Sequence, residues 1–159
     1  NIVGFQTNLL FPEQKRVFSM FPALRNAEFL RYGVMHKNTF IDAPKTLNAD
    51  FSMKEHPSVF FAGQITGVEG YVESAASGLL AAINADRRMS GLETLSPGND
   101  TVIGALANYV ATPNAYFQPM NANYGILRPL NVSPKKKADK KRMLSERAIE
   151  KIKEIKETL

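Results

Sequence analysis

Gly63, Gly67 and Gly70 follow the short apolar run SVFFA and precede a long stretch with helical spacing. An apolar run that stops at a loop nearly free of side chains and then feeds a helix start is a place where a ligand can reach the backbone. Glycine permits the close approach, and the helix start offers unpaired N–H groups that carry partial positive charge. Anions and polar rings are the chemistry such a loop serves. The spacing is not the G-x-G-x-x-G that cradles a pyrophosphate, and no Gly-Lys-Ser/Thr follows to make a phosphate loop. Spacing alone leaves two readings, ligand loop and plain strand-to-helix turn, and the turn is the simpler.

Other chemistry-bearing residues are sparse. The chain has no cysteine, which excludes disulfides and thiolate chemistry within these residues. With His36 and His56 as its two imidazoles, it offers little for a zinc site, and no metal is expected. His36 lies in YGVMHKNTF, near Arg31, Lys37 and Asn38, where a structural turn residue and a ligand contact are both open readings. Glu69 and Glu73, four apart at the helix start, suit capping and dipole compensation better than acid–base work. The formal charge of +5 resides entirely in the last segment, where KKKADKKR opens a run with ten Lys or Arg against five Asp or Glu. Lys135, Lys136 and Lys137 lead that run. A solvated helix face and a polyanion contact both fit it.

These residues need elements to position them. At 159 residues and 44% hydrophobic content, the chain suffices for one modest globular domain. No apolar run approaches the ~18 residues of a membrane helix, and no secretory leader is visible. Strands are expected at NIVGF, at AEFLRYGVM and at SVFFAG, the last as a continuous apolar run buried on both faces. Pro12 opens a short helix with Val17, Phe18 and Phe21 on its apolar side. The segment from Ile41 to Pro57 reads as turns with a short extended piece. Val72, Ala75, Ala76, Leu79, Leu80 and Ile83 mark a helix that ends before Gly91, and Val102, Leu106, Tyr109 and Val110 mark another. Residues 113–134 form a long ordered loop anchored by Tyr116, Phe117, Met120, Tyr124, Ile126 and Leu127. A last helix starts near Ala138 with Leu144, Ala148, Ile152 and Ile155 as its stripe.

RYGVMHKNTFIDAPKTLN followed by VFFAGQITGVEGYVESAASGLLAAINADR resembles the C-terminal part of the folate- and FAD-dependent tRNA (uracil-5-)-methyltransferases, the TrmFO family. FQTNLLFPEQKRVF and FQPMNANYGILRP extend the likeness over most of the chain. A related flavoprotein family that modifies wobble uridines shares the A-G-Q-x-x-G-x-x-G-Y loop and resembles the chain less outside it. The resemblance implies an enzyme that methylates C5 of a T-loop uridine in tRNA. Methylenetetrahydrofolate is its carbon donor, reduced FAD its reductant, and NAD(P)H recharges the flavin. It further implies a bacterial, cytoplasmic protein with no membrane partner.

Carried onto this chain, the resemblance makes Gly63, Gln64, Thr66, Gly67, Gly70 and Tyr71 the flavin-side contacts. Arg31, His36, Lys37 and Asn38 become folate or tRNA candidates, and Lys135, Lys136 and Lys137 become tRNA candidates. The implied fold is α/β: the C-terminal part of a Rossmann-like FAD-binding domain over residues 41–134. The end of an inserted α/β domain covers 1–40, and a basic helix covers 135–159. The first dinucleotide turn and the catalytic cysteines of such enzymes have no counterpart here, and the chain starts without Met. A piece of a longer enzyme is therefore expected, without catalytic residues and inactive alone, with an open apolar face where its N-terminal portion docks or a second copy pairs. The remaining alternatives are the wobble-uridine flavoprotein and a stand-alone RNA- or protein-binding module.

Overall fold

The computed structural model describes residues 5–35 and 38–158. It divides into two compact units, Asn1–Asn38 and Thr39–Leu159.

In the first unit, helix α1 spans Phe11–Phe18. Pro12 fits its first turn, where the missing N–H would have no partner, and Glu13 stands on the favourable end of the dipole. Beside the helix is an aromatic cluster. Phe5 meets Phe18 edge-on at 4.8 Å, and Phe11, Tyr32, Phe29 and Phe18 form a chain of near-parallel rings. The expected strand over AEFLRYGVM does not form among the described residues, and Gln14 shows why. Its buried amide donates to Leu9 O and Gly33 O, both at 2.8 Å, and accepts from Gly33 N at 3.0 Å. A side chain thus satisfies the Gly33 backbone groups that a neighbouring strand would otherwise have paired. The NIVGF strand falls mostly on residues 1–4, outside the described residues.

The second unit contains α2 (Ala43–Thr46), α3 (Tyr71–Met89), α4 (Val102–Ala111) and α5 (Lys137–Lys156), joined by single 3₁₀ turns. Helix α4 is apolar almost all round and accordingly buried, with Ala105, Leu106, Ala107 and Val110 each nearly or fully inaccessible. Thr101 caps it by accepting from Gly104 N at 3.0 Å. Around α4 gather Ala43, Leu47, Phe51, Val68, Leu80, Ala81 and Phe117. A smaller cluster of Ala105, Leu127 and Leu144 holds α5.

SVFFAG is not a doubly buried strand. Phe60 makes a single bridge to Ser52, and Val59 and Ala62 are exposed. That bridge is framed by Met53 N donating to Val59 O at 2.8 Å and Phe61 N donating to Phe51 O at 3.0 Å, and Phe51, with φ +67°, turns the chain away at its edge. Only isolated bridges occur among the described residues, so the expected α/β layering is replaced here by helices on helices. The Ile41–Pro57 segment, read as turns, also contains the short helix α2, with Pro44 in its first turn.

Candidate functional site: the glycine loop and its brace

The loop is built by three glycines with positive φ: Gly63 at +74°, Gly67 at +88° and Gly70 at +98°. From Ala62 the chain makes a 3₁₀ turn over Gly63–Thr66, reverses at Gly67 and enters α3 through Gly70. Residues with side chains adopt these angles rarely, so the loop's path requires glycine at these positions.

Small polar side chains hold the path. Gly63 N donates to Ser77 Oγ at 3.0 Å, and Ser77 Oγ in turn donates to Ser74 O at 2.8 Å. Thr66 is fully buried and its hydroxyl donates to Gly63 O at 2.8 Å. From the other side the long loop braces the turn. Met120 N donates to Gly67 O at 2.9 Å, Glu69 N donates to Met120 O at 3.0 Å, and the Phe117 ring covers the α-carbon of Gly67 so closely that a methyl there would collide with it.

Of the predicted contacts, Gln64 and Tyr71 face solvent, Tyr71 with 92% of its surface open, while Thr66 is turned inward. No side chain caps α3 at Gly70, so its first backbone N–H groups keep their donor capacity. Glu73 does not cap the helix as expected. Its carboxylate lies against Gly70 and accepts from Ala122 N at 3.1 Å, latching the long loop to the helix start. Ser77, Phe117 and Met120 were not singled out as site residues. Ser77 lies in the small-residue stretch Ala75–Gly78, whose composition signals close approach but not which hydroxyl serves the loop.

Helix α3 is tied down at its far end too. Asn84 donates to Leu95 O at 3.1 Å and accepts from Leu95 N at 2.6 Å. Arg88 pairs with Asp50 at 2.7 Å and lies over the Phe60 ring. Burial raises the Asp50 pKa, but hydrogen bonds from Ser52 and Thr94 and the Arg88 charge outweigh it and leave the carboxyl below its ordinary value. A cavity of about 540 Å³ lined by Arg88, Gly91, Leu92, Glu93 and Thr94 lies at this end. The helix has 19 residues, so this end is roughly 28 Å from the glycine loop. The outer face of α3 is largely apolar and uncovered, with Val72 80%, Leu79 64% and Met89 82% exposed, interrupted by the exposed Asp86.

Lys135, Lys136 and Lys137 stand exposed at the start of α5 in this same unit. Arg31 and Asn38 are exposed residues of the first unit. His36 and Lys37 lie outside the described residues. No helix among the described residues is long and apolar enough to cross a membrane.

A family model described as glucose inhibited division protein A matches residues 1–93. The methylenetetrahydrofolate–tRNA-(uracil-5-)-methyltransferase TrmFO of Desulfitobacterium hafniense (strain Y51) is 55% identical over 157 residues, covering 98% of this chain and 36% of that protein. TrmFO of Pelotomaculum thermopropionicum is 52% identical over 160 residues, covering 100% of this chain and 37% of that protein. Among solved structures, GidA of Aquifex aeolicus matches with a TM-score of 0.50 at 25% identity, covering 67% of this chain and 18% of that one. The chain thus spans a little over a third of the length of these TrmFO relatives. The chain belongs to the glucose inhibited division protein A family and is similar over nearly its whole length to the TrmFO proteins.

Proposed function

We propose that this chain is the C-terminal part of a tRNA (uracil-5-)-methyltransferase that takes its carbon from methylenetetrahydrofolate and its electrons from reduced FAD. The observation that carries the reading is 55% identity to a TrmFO protein along 98% of the chain. That is far nearer than the 25% shared with the GidA structure of Aquifex aeolicus.

The glycine loop fits a flavin wall on physical grounds. Positive-φ glycines leave its backbone bare, the α3 start is uncapped, and Gln64 and Tyr71 face outward beside it. When bound, the flavin would supply the redox chemistry, and this chain's residues would orient it. Gly63, Gly67 and Gly70 allow ring or ribityl chain to approach, Gln64 and Tyr71 offer side-chain contacts, and Thr66 sets the turn from within. Glu73 places a carboxylate beside the same helix start, so an anionic ligand group there would have to keep clear of it. Residues 1–40 are assigned to the end of an inserted domain, where Arg31, His36, Lys37 and Asn38 would meet folate or tRNA. Residues 41–134 belong to the FAD-binding domain, whose sheet would be supplied by the remainder of the protein. Residues 135–159 form the basic helix, with Lys135, Lys136 and Lys137 directed at tRNA phosphate. The apolar face of α3 suits the N-terminal portion of the same protein or, failing that, a second copy.

The test uses the protein at its natural length, assayed for methyl transfer to tRNA from labelled methylenetetrahydrofolate and for bound flavin. Gly63→Ala is the informative variant: its new methyl collides with nothing, the nearest atom being Ser74 Cβ at 3.8 Å, so it disturbs the loop only through the φ of +74° that glycine holds there. A folded Gly63→Ala protein that loses flavin supports the loop as the flavin wall. Full flavin content in that variant removes the loop from the site, and absence of methyl transfer by the unaltered protein removes the reading itself.

A further inference from the structure

The lysines of α5 are not equivalent. Arg142 is engaged by Asp139 and Glu146, Lys151 by Glu154, and Arg147 turns inward to Asp100 and to the carbonyls of Arg128 and Pro129. No ion pair among the described residues engages Lys135, Lys136, Lys137, Lys140 or Lys141, and all five are exposed. Lys153 and Lys156 near the far end are exposed and unpaired among the described residues too, but the denser group gathers at the start, Lys135 and Lys136 just before α5 and Lys137, Lys140 and Lys141 in its first turns. Lys137 and Lys141 share one face of the helix, and Lys136 and Lys140 share the next.

An aromatic ring stands at this patch. Lys141 Nζ lies 5.6 Å from the centroid of Tyr124, which is 50% exposed. Its surroundings hold it there. Asn123 Oδ1 accepts from Gly125 N at 2.9 Å to set the turn, and Leu127 is buried against α5. Arg128 N donates to Asn99 O at 2.8 Å, its guanidinium reaches Asp100, and Arg147 Nη2 donates back to Arg128 O at 2.6 Å. A half-open ring fixed beside unpaired ammonium groups is unneeded by the core, since Leu127 and Ile126 already anchor the loop.

We propose that Tyr124 and these lysines form one composite RNA subsite, in which the ring stacks an unpaired base while Lys137, Lys140 and Lys141 contact the adjoining phosphates. Single-stranded recognition combines these two components, because bases splayed from a helix stack on aromatic faces and the backbone is met by cations. An acidic protein or a lipid headgroup would use the lysines and leave the ring idle. The subsite rests on the tRNA reading above and extends it to residues outside the three lysines assigned there.

The experiment measures binding of a tRNA T-arm hairpin to the natural-length protein across a salt series. Tyr124→Ala should weaken binding about five- to a hundredfold, with the salt slope kept. Tyr124→Phe, which keeps the ring, should bind as the unaltered protein does. The triple variant Lys137→Ala, Lys140→Ala, Lys141→Ala should flatten the slope of log affinity against log salt by roughly 2 to 3. Wild-type affinity in Tyr124→Ala, or an unchanged slope in the triple variant, overturns the subsite. Bound flavin and methyl transfer measured on the same unaltered protein report separately on the enzyme reading. The expected RNA pattern without flavin keeps the subsite and sinks that reading; flavin and methyl transfer with silent variants sink the subsite alone.

Discussion

Helices α3 and α5 have nearly the same length, 19 and 20 residues, yet they are held in opposite ways. Helix α3 is fastened at both ends, by the serine-held glycine loop at its start and by Asn84 and Arg88 near its finish. Helix α5 is fastened at its middle, through one buried side chain, Leu144, and the inward-turned Arg147, and just past its end only by Arg87 of α3, which donates to Thr158 O at 3.0 Å. Their free faces differ in the same sense. That of α3 is apolar and that of α5 is charged at its start, so one calls for a packed partner and the other is content in water or against a polyanion. Geometry fixed by backbone and steric contact is broken by one substitution. A surface built from separate charges loses its effect by increments.

The largest effect should fall on the α3 side of that comparison. Gly67→Val must place a branched side chain at φ +88° and displace the buried Phe117 ring. Strain and overpacking together should cost about 3 kcal/mol or more in urea unfolding. A cost near zero would mean that the loop is not braced by the 117–122 segment at all.

Next is the middle of α5. Leu144→Ala should cost about 2–4 kcal/mol, since Leu144 is only 3% exposed between Ala105 and Leu127. Hydrogen exchange should show the α5 amides losing protection while those of α3 keep theirs. Equal loss in both helices would erase the distinction drawn between them.

The smallest effect tests the electrostatic anchor near the C-terminal end of α3. Asp50 has a folded pKa below its unfolded value of roughly 3.9, so its contribution is complete well above that value. It fades as pH falls through the folded value. Asp50→Asn should therefore reduce the acid dependence of stability below about pH 4 by about 1 kcal/mol or less. An unaltered acid limb would show that the Asp50 carboxylate, with its Ser52 and Thr94 hydrogen bonds and its Arg88 pair, contributes nothing measurable.

Much of this arrangement was readable from residue types. The helical spacing of Val72 to Ile83, the apolar runs of 102–110 and the Leu144 stripe each encode a helix locally, because periodicity and burial of one face need no distant information. The glycine loop was readable as a loop for the same reason. The strands expected at AEFLRYGVM and SVFFAG were not decided locally. An extended segment becomes a strand only when another backbone pairs with it, and here Gln14 takes the Gly33 groups while Phe51 turns the chain away after one bridge. Glu73 and Phe117 were legible as acid and anchor; which backbone they would brace depends on residues some 50 positions apart meeting in space.

The sequence by itself determined where helices form, where the backbone must be bare and where charge collects, since each depends on side chains within a few residues. Tertiary structure alone decided that Ser77 and Phe117 hold the loop. It also decided that Arg147 is internal while Lys140 is free, and that Tyr124 stands beside Lys141. A cation's role follows from which groups surround it, and only the folded chain brings those groups together.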